Sequence, residues 1–140
     1  MKIIYYEGLM GIFGNWLTRG HIRKLKKLGY DCERRSWLSK KEIHDPTVIV
    51  ISHSFGADAA FRNTKKCRLL ITLDYRRVLL KQNATHLGHE NHLNMYQTKG
   101  MRGYVIEGAK NIAMNKISHL RMASSPYIYQ LILMQIRRRS

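Results

Sequence analysis

The stretch Val48-Ile49-Val50-Ile51-Ser52-His53-Ser54-Phe55-Gly56-Ala57 decides how the chain reads. Together with Thr47 it opens on a run of β-branched residues, as expected of a central strand buried on both faces in a parallel sheet. The run passes straight into Ser-x-Ser-x-Gly, and Ala57, Ala59, Ala60 and Phe61 then suit a helix. A serine on so sharp a strand-to-helix turn is a nucleophile elbow, with Ser54 as the nucleophile. Strand and helix backbones pass closely there, so the residues two before and two after must be small. Ser52 and Gly56 fill those places, Ser52 where glycine is usual. The Phe55 amide, at the start of the helix, would face the developing oxyanion.

Outward from this point, Cys67 to Leu73 reads as the next buried strand, with Asp74 at its carboxyl end. That sheet edge is where doubly wound proteins bind ligands. The competing reading is a capping carboxylate paired with Arg76 or Arg77. Upstream, Lys2 to Tyr6 reads as a first strand that ends at Glu7-Gly8-Leu9-Met10-Gly11. Thr18 is expected to cap a helix carrying Ile22, Leu25 and Leu28 and stopped by Gly29. A short strand follows around Tyr30 to Arg34, and Asp45-Pro46 forms a turn. Downstream, Asn83 to Lys99 reads as a polar loop with a short strand near Leu93 to Tyr96. The segment from Tyr104 to Asn111 is expected to place an edge strand. Pro126 opens a closing helix that runs to Arg139. Alternating strands and helices imply an α/β fold with a doubly wound, mostly parallel sheet, in a single domain over residues 1–140.

His119 completes a chain order of Ser54, Asp74, His119, the order of α/β-hydrolases. In that arrangement His119 takes the proton from Ser54, and Asp74 fixes its tautomer. Ile51 to Ala57 resembles the elbow of lipase-like enzymes, usually Gly-His-Ser-x-Gly-Ala. Thr72-Leu73-Asp74 is similar to the acid strand of the same family. Asn94-Met95-Tyr96-Gln97, followed by Gly108-Ala109-Lys110-Asn111-Ile112, resembles the stretch between acid and histidine in small bacterial and phage members. The likeness spans Thr47 to Arg121, with a weaker match over Lys2 to Gly14. It implies a minimal α/β-hydrolase fold without a cap domain, and esterase or lipase-like activity through an acyl-enzyme. It also implies a Ser54–Asp74–His119 triad and a second oxyanion amide from Gly8 or Leu9. No cofactor is implied. An open, shallow site would suit an ester substrate that is polymeric or membrane-associated.

Charge raises a second function class. Lys and Arg number 25 against 9 acids, a formal net charge of +16. Such a field attracts nucleic acid, anionic lipid or another acidic partner. A non-catalytic hydrolase-fold protein that binds nucleic acid through this surface is therefore the alternative. No tract interleaves basic and aromatic residues as a single-strand stacking platform does.

The other features read as structural. Cys32 and Cys67 are expected to be reduced, buried thiols, too few for a disulfide framework. His86, His89 and His92 stand at three-residue intervals, but Gly88 and Asn91 break the helix that would gather them, so no metal site is expected. His53 is expected to pack near the strand rather than exchange protons. Trp16 and Trp37 read as core or pocket wall, and the sequon at Asn83 as chance. The apolar closing helix ending in Arg137-Arg138-Arg139 covers the sheet, with its arginines favouring the carboxyl end; lying on an anionic membrane is its alternative. No run of ~18 apolar residues exists to span a bilayer, and no signal peptide is recognisable, so a cytoplasmic location is expected. An exposed edge strand makes a homodimer plausible.

Overall fold

Strand β4 (Ile49–His53) lies inside a six-stranded sheet, and all five of its residues are buried. A computed structural model describes residues 1–8, 16–75, 91–98 and 104–139. The sheet contains β1 (Lys2–Glu7), β2 (Asp31–Ser36), β4, β6 (Leu69–Leu73), β7 (His92–Gln97) and β8 (Lys110–Met114). Their order is β2-β1-β4-β6-β7-β8, and every neighbouring pair is parallel. A small two-stranded sheet, β3 (Ile43–His44) with β5 (Thr64–Lys66), stands apart.

Strand alternation sends buried side chains to both faces. Ile3, Tyr5, Ile49, Ile51, Leu69 and Ile71 pack on one side with helices α1 (Trp16–Lys27) and α4 (Pro126–Arg137). Ile4, Tyr6, Val48, Val50 and Leu70 pack on the other with Ala59 and Ala60 of α2 (Gly56–Asn63). The sheet is thus flanked by helices on both faces, which accounts for the unbroken apolar runs of its central strands. In α4, Ile128, Ile132 and Ile136 recur at four-residue spacing and are fully buried, one stripe of a helix turned to the core. This packing supports the reading of a helix that covers the sheet.

Several expected boundaries shift. Helix α1 begins at Trp16, so Thr18 sits inside its first turn rather than at its cap. The Thr18 hydroxyl is drawn away to the Glu7 carboxylate. Gly29 ends the helix as expected, at φ +84°, a conformation glycine adopts without cost. The last strand starts at Lys110, because the Asn111 side chain ties residues 106 to 109 into a turn. Its amide donates to the Ile106 and Ala109 carbonyls, and its carbonyl accepts from the Ile106 amide. Cys32 is buried in β2, whereas Cys67 is half-buried just before β6 rather than within a strand. The strand expected near Leu93 to Tyr96 is present as β7, one residue longer at each end, and it lies in the interior of the sheet. Its central Asn94 is buried and satisfied across strands: it donates to Asn111 and to the Tyr104 carbonyl, and accepts from Thr72. No helix among the described residues is long and apolar enough to cross a membrane.

Candidate active site

In an all-parallel sheet every strand ends on the same edge, and the candidate residues gather there. Ser54 follows β4 and Asp74 follows β6, adjacent strands in the sheet. Both adopt left-handed backbone conformations, with φ of 56° and 47°. For residues other than glycine this costs on the order of 1–3 kcal/mol each and persists only where the surroundings hold it. Here the Ser54 amide donates to the Leu73 carbonyl at 3.0 Å, and the Asp74 amide to the Met95 carbonyl at 2.6 Å. The left-handed serine reverses the chain so that α2 begins immediately behind it.

Gly56 makes that reversal sterically feasible. A Cβ at this position would fall 2.5 Å from the Tyr6 carbonyl oxygen and 2.9 Å from the Glu7 carbonyl carbon. No side chain fits between α2 and β1 there. Ser52 meets no such obstacle: it is fully buried, and its hydroxyl points at the Ile71 carbonyl of β6, 3.4 Å away. That accommodates the departure from glycine at this place in the elbow.

His119, the first residue of the short helix α3 (His119–Met122), reaches back from beyond β8 to close a hydrogen-bonded chain. Its Nε2 lies 3.0 Å from Ser54 Oγ, and its Nδ1 lies 2.5 Å from Asp74 Oδ2. Because a carboxylate only accepts, the imidazole carries its proton on Nδ1 and offers the Nε2 lone pair to the serine hydroxyl. The other oxygen of Asp74 accepts the Gln97 amide at 3.0 Å. Asp74 is fully buried, Ser54 is 6% exposed, and the His119 side chain keeps 26% of its surface. The three residues expected from sequence are therefore in mutual contact, with the acid dry and the imidazole open to solvent.

Of the expected oxyanion donors, Phe55 stands at the amino end of α2, directly after Ser54. Gly8 lies against the same turn, where an added Cβ would come 3.3 Å from the Phe55 nitrogen and 3.1 Å from Ser54 Cβ. Leu9 lies outside the described residues, as do His86, His89, the Asn83 sequon and the arginines 76 and 77. His92 stands apart from this site. It is buried at the start of β7, on the opposite sheet edge, with its Nε2 3.1 Å from the Thr72 hydroxyl. No group of three metal-ligating side chains exists among the described residues.

Two contributors were not legible as such. His53 stacks on His119, ring centroids 4.8 Å apart and planes inclined by 27°. Its Nε2–H donates to the His119 backbone carbonyl at 3.1 Å. Burial first, and the neighbouring His119 second, push the His53 pKa down to about 4, so this ring stays neutral near pH 7. Glu7, at the end of β1, is held by Arg34 through two hydrogen bonds of 3.0 and 2.7 Å, and by Thr18. It pins β1 to β2 and α1 one residue before Gly8. The adjacency of His53 to the nucleophile and of Glu7 to Gly8 is the only sequence signal for either.

Comparison with models of known protein families gives no match, and no curated protein matches the sequence.

Proposed function

We propose that the protein is a serine hydrolase of the minimal α/β-hydrolase type, acting on carboxylic esters. The observation that carries the reading is the Ser54–His119–Asp74 chain, set on an elbow whose nucleophile has a positive φ. The strand order supports it as well, with the nucleophile after an inner strand, the acid after the next, and the histidine beyond the edge strand.

The reaction follows from the geometry. Ser54 Oγ adds to the ester carbonyl carbon while its proton passes to His119 Nε2, and Asp74 stabilises the imidazolium. The carbonyl oxygen, now anionic, is met by the Phe55 N–H, with Gly8 or Leu9 as the second donor. Collapse of the tetrahedral adduct breaks the ester C–O bond, and the departing alkoxide takes the proton from His119. Water then gives a proton to His119 and attacks the acyl-Ser54 carbon, releasing the acid and restoring the serine. We assign no cofactor to this chemistry. A polymeric or membrane-associated ester is the substrate class we favour.

The test is labelling with a fluorophosphonate, which phosphonylates only an activated serine, followed by peptide mass spectrometry. One adduct on Ser54, absent from Ser54→Ala and slowed in His119→Ala, is the expected result. A folded protein that takes no label would overturn the reading.

A further inference from the structure

The topology that gathers Ser54, Asp74 and His119 on one sheet edge gathers cations on the other. Strands all start on that opposite edge, and each helix that leads directly into a strand delivers its carboxyl end there. Helix α1 ends in Lys26 and Lys27, both exposed, shortly before β2 begins. Helix α2 runs through Arg62 to the exposed Lys66 and Arg68, and so to the start of β6. Exposed Lys110 opens β8. Helix α4 closes the edge with Arg137, Arg138 and Arg139.

A recess of about 410 Å³ lies between the starts of β7 and β8 and the end of α4. Asn91, His92, Lys110, Gln135, Arg138 and Arg139 line it. Three cationic side chains and two amides converge on it, and no acid among the described residues does. Arg139 is held in place by its hydrogen bond to Gln135, 3.0 Å long.

Cations at a helix carboxyl end complement the helix dipole, which is sufficient reason for Lys26, Lys27 and the arginines of α4. It is no reason for Lys66, Arg68 or Lys110, which lie outside any helix. Some acids stand on this edge too: Lys2, which opens β1, pairs with Glu33, and exposed Asp31 and Asp45 stand at the start of β2 and shortly before β4. Lys26, Lys27, Lys66, Arg68, Lys110 and Arg138 form no ion pair among the described residues. Keeping so many like charges together weakens the fold through repulsion, and an anionic partner would relieve it.

We propose that this edge is a binding surface for the sugar-phosphate backbone of duplex nucleic acid, with the recess lined by Lys110, Arg138 and Arg139 as its central phosphate site. The extent fits. Six strands at ~4.8 Å spacing make an edge ~24 Å long, and duplex DNA carries one charge per ~1.7 Å of its axis. Recognition is of backbone rather than bases, since the large exposed aromatics, Tyr104 and Tyr127, lie outside this cationic row. A bilayer is the poorer partner. Met1 and Leu28 are the large exposed apolar residues at this edge among the described residues, too little to insert among lipids. Docking on lipid by this edge would also aim Ser54 away from the membrane. The surface is independent of the hydrolase reading, so each can stand without the other.

Anisotropy of a fluorescent 25-base-pair DNA duplex of mixed sequence, titrated with the intact protein at several salt concentrations, tests this. With about six phosphate contacts, affinity falls ~10³-fold between 50 and 200 mM salt. Lys110→Ala/Arg138→Ala/Arg139→Ala lowers the log–log salt slope by about 2.7. Lys26→Ala/Lys27→Ala, a separate variant at the other end of the edge, lowers it by about 1.8. Lys116→Ala/Arg121→Ala, on the triad edge, leaves it unchanged, as does Ser54→Ala. Circular dichroism establishes that each variant is folded. Absence of salt-dependent binding would overturn the proposal. So would loss of binding in Lys116→Ala/Arg121→Ala, or tighter binding to phosphatidylglycerol vesicles than to DNA at equal phosphate.

Discussion

Replacing His53 by phenylalanine separates two things this ring does. The phenyl group keeps the stacking on His119, 4.8 Å between centroids, but removes the donor to the His119 carbonyl. Helix α3 is a single turn ending at Met122, so it supplies no i+4 amide to that carbonyl from within itself. An orphaned buried acceptor costs about 1–3 kcal/mol, and the partial exposure of His119 places the loss near the low end. Domains of this size hold roughly 5–15 kcal/mol, so the variant stays folded. Reactivity responds more strongly. If α3 relaxes by ~1 Å, the Ser54–His119 separation grows from 3.0 Å beyond hydrogen-bond range, and a misplacement of that size costs about 10²-fold. The assay is the second-order rate of fluorophosphonate labelling at pH 7, where His53 is neutral, run beside a urea melt. The expected result is a 10- to 100-fold slower rate with a stability loss of only 1–2 kcal/mol, partly recovered by His53→Gln, whose amide also donates. Wild-type labelling in folded His53→Phe would refute the argument that the neighbouring ring positions the base.

Asp74→Asn, which keeps shape but removes the acceptor that fixes the His119 tautomer, is expected to slow labelling by about 10⁴-fold while the melt changes far less. Gly56→Ala forces a methyl to within 2.5 Å of the Tyr6 carbonyl; a loss of ~3 kcal/mol in the urea melt and no Ser54 adduct are expected. Asn94→Ala removes the side-chain donor to the Tyr104 carbonyl and to Asn111, and the acceptor of the Thr72 hydroxyl, inside a buried strand. It should cost about 2–3 kcal/mol, read by chemical denaturation. Stability should also fall on mild acidification. His21 and His53 both have pKa values lowered to about 4, chiefly by burial. An unfolded histidine binds its proton near pH 6.5, so the unfolded state holds more protons between these limits. Stability is then full above pH 6.5 and declines as pH drops toward 4. Urea midpoints at pH 7 and pH 5 check this, and the double variant His21→Asn/His53→Phe should flatten the difference.

The sequence exposed the sheet where chemistry demanded uniform burial. Strands β4 and β6 read correctly because a strand covered on both faces tolerates little but apolar residues, and their ends placed Ser54 and Asp74. Strand β7 was harder to read because its polar residues face neighbouring strands rather than solvent. His92 pairs with Thr72, and Asn94 with Thr72 and Asn111, so a buried strand carries the composition of a loop. The same concealment applies to β8, whose start is set by the side-chain hooks of Asn111 and not by any apolar period. Helix α1 begins two residues before Thr18, the expected cap, and the Thr18 hydroxyl instead donates to Glu7, a partner eleven residues away that no local pattern reveals.

At the site, identity and order located Ser54, Asp74 and His119, since a strand-to-helix serine and a strand-end acid are positional signals. The supporting contacts were not positional. His53 acts on His119 across 66 residues of sequence, and Glu7 meets Arg34 across 27. Such contacts arise only once β1, β4 and α3 share one edge. The division of the molecule follows from the same parallel geometry. Strand ends bring together the left-handed turns, the buried carboxylate and the imidazole, while strand starts and helix ends bring together cations, several of which form no ion pair among the described residues. A mixed sheet would scatter both sets over two edges. The parallel one keeps the proposed hydrolytic site and the proposed polyanion surface ~15–20 Å apart, the length of a five- or six-residue strand, so that on these two proposals occupancy of one leaves the other open.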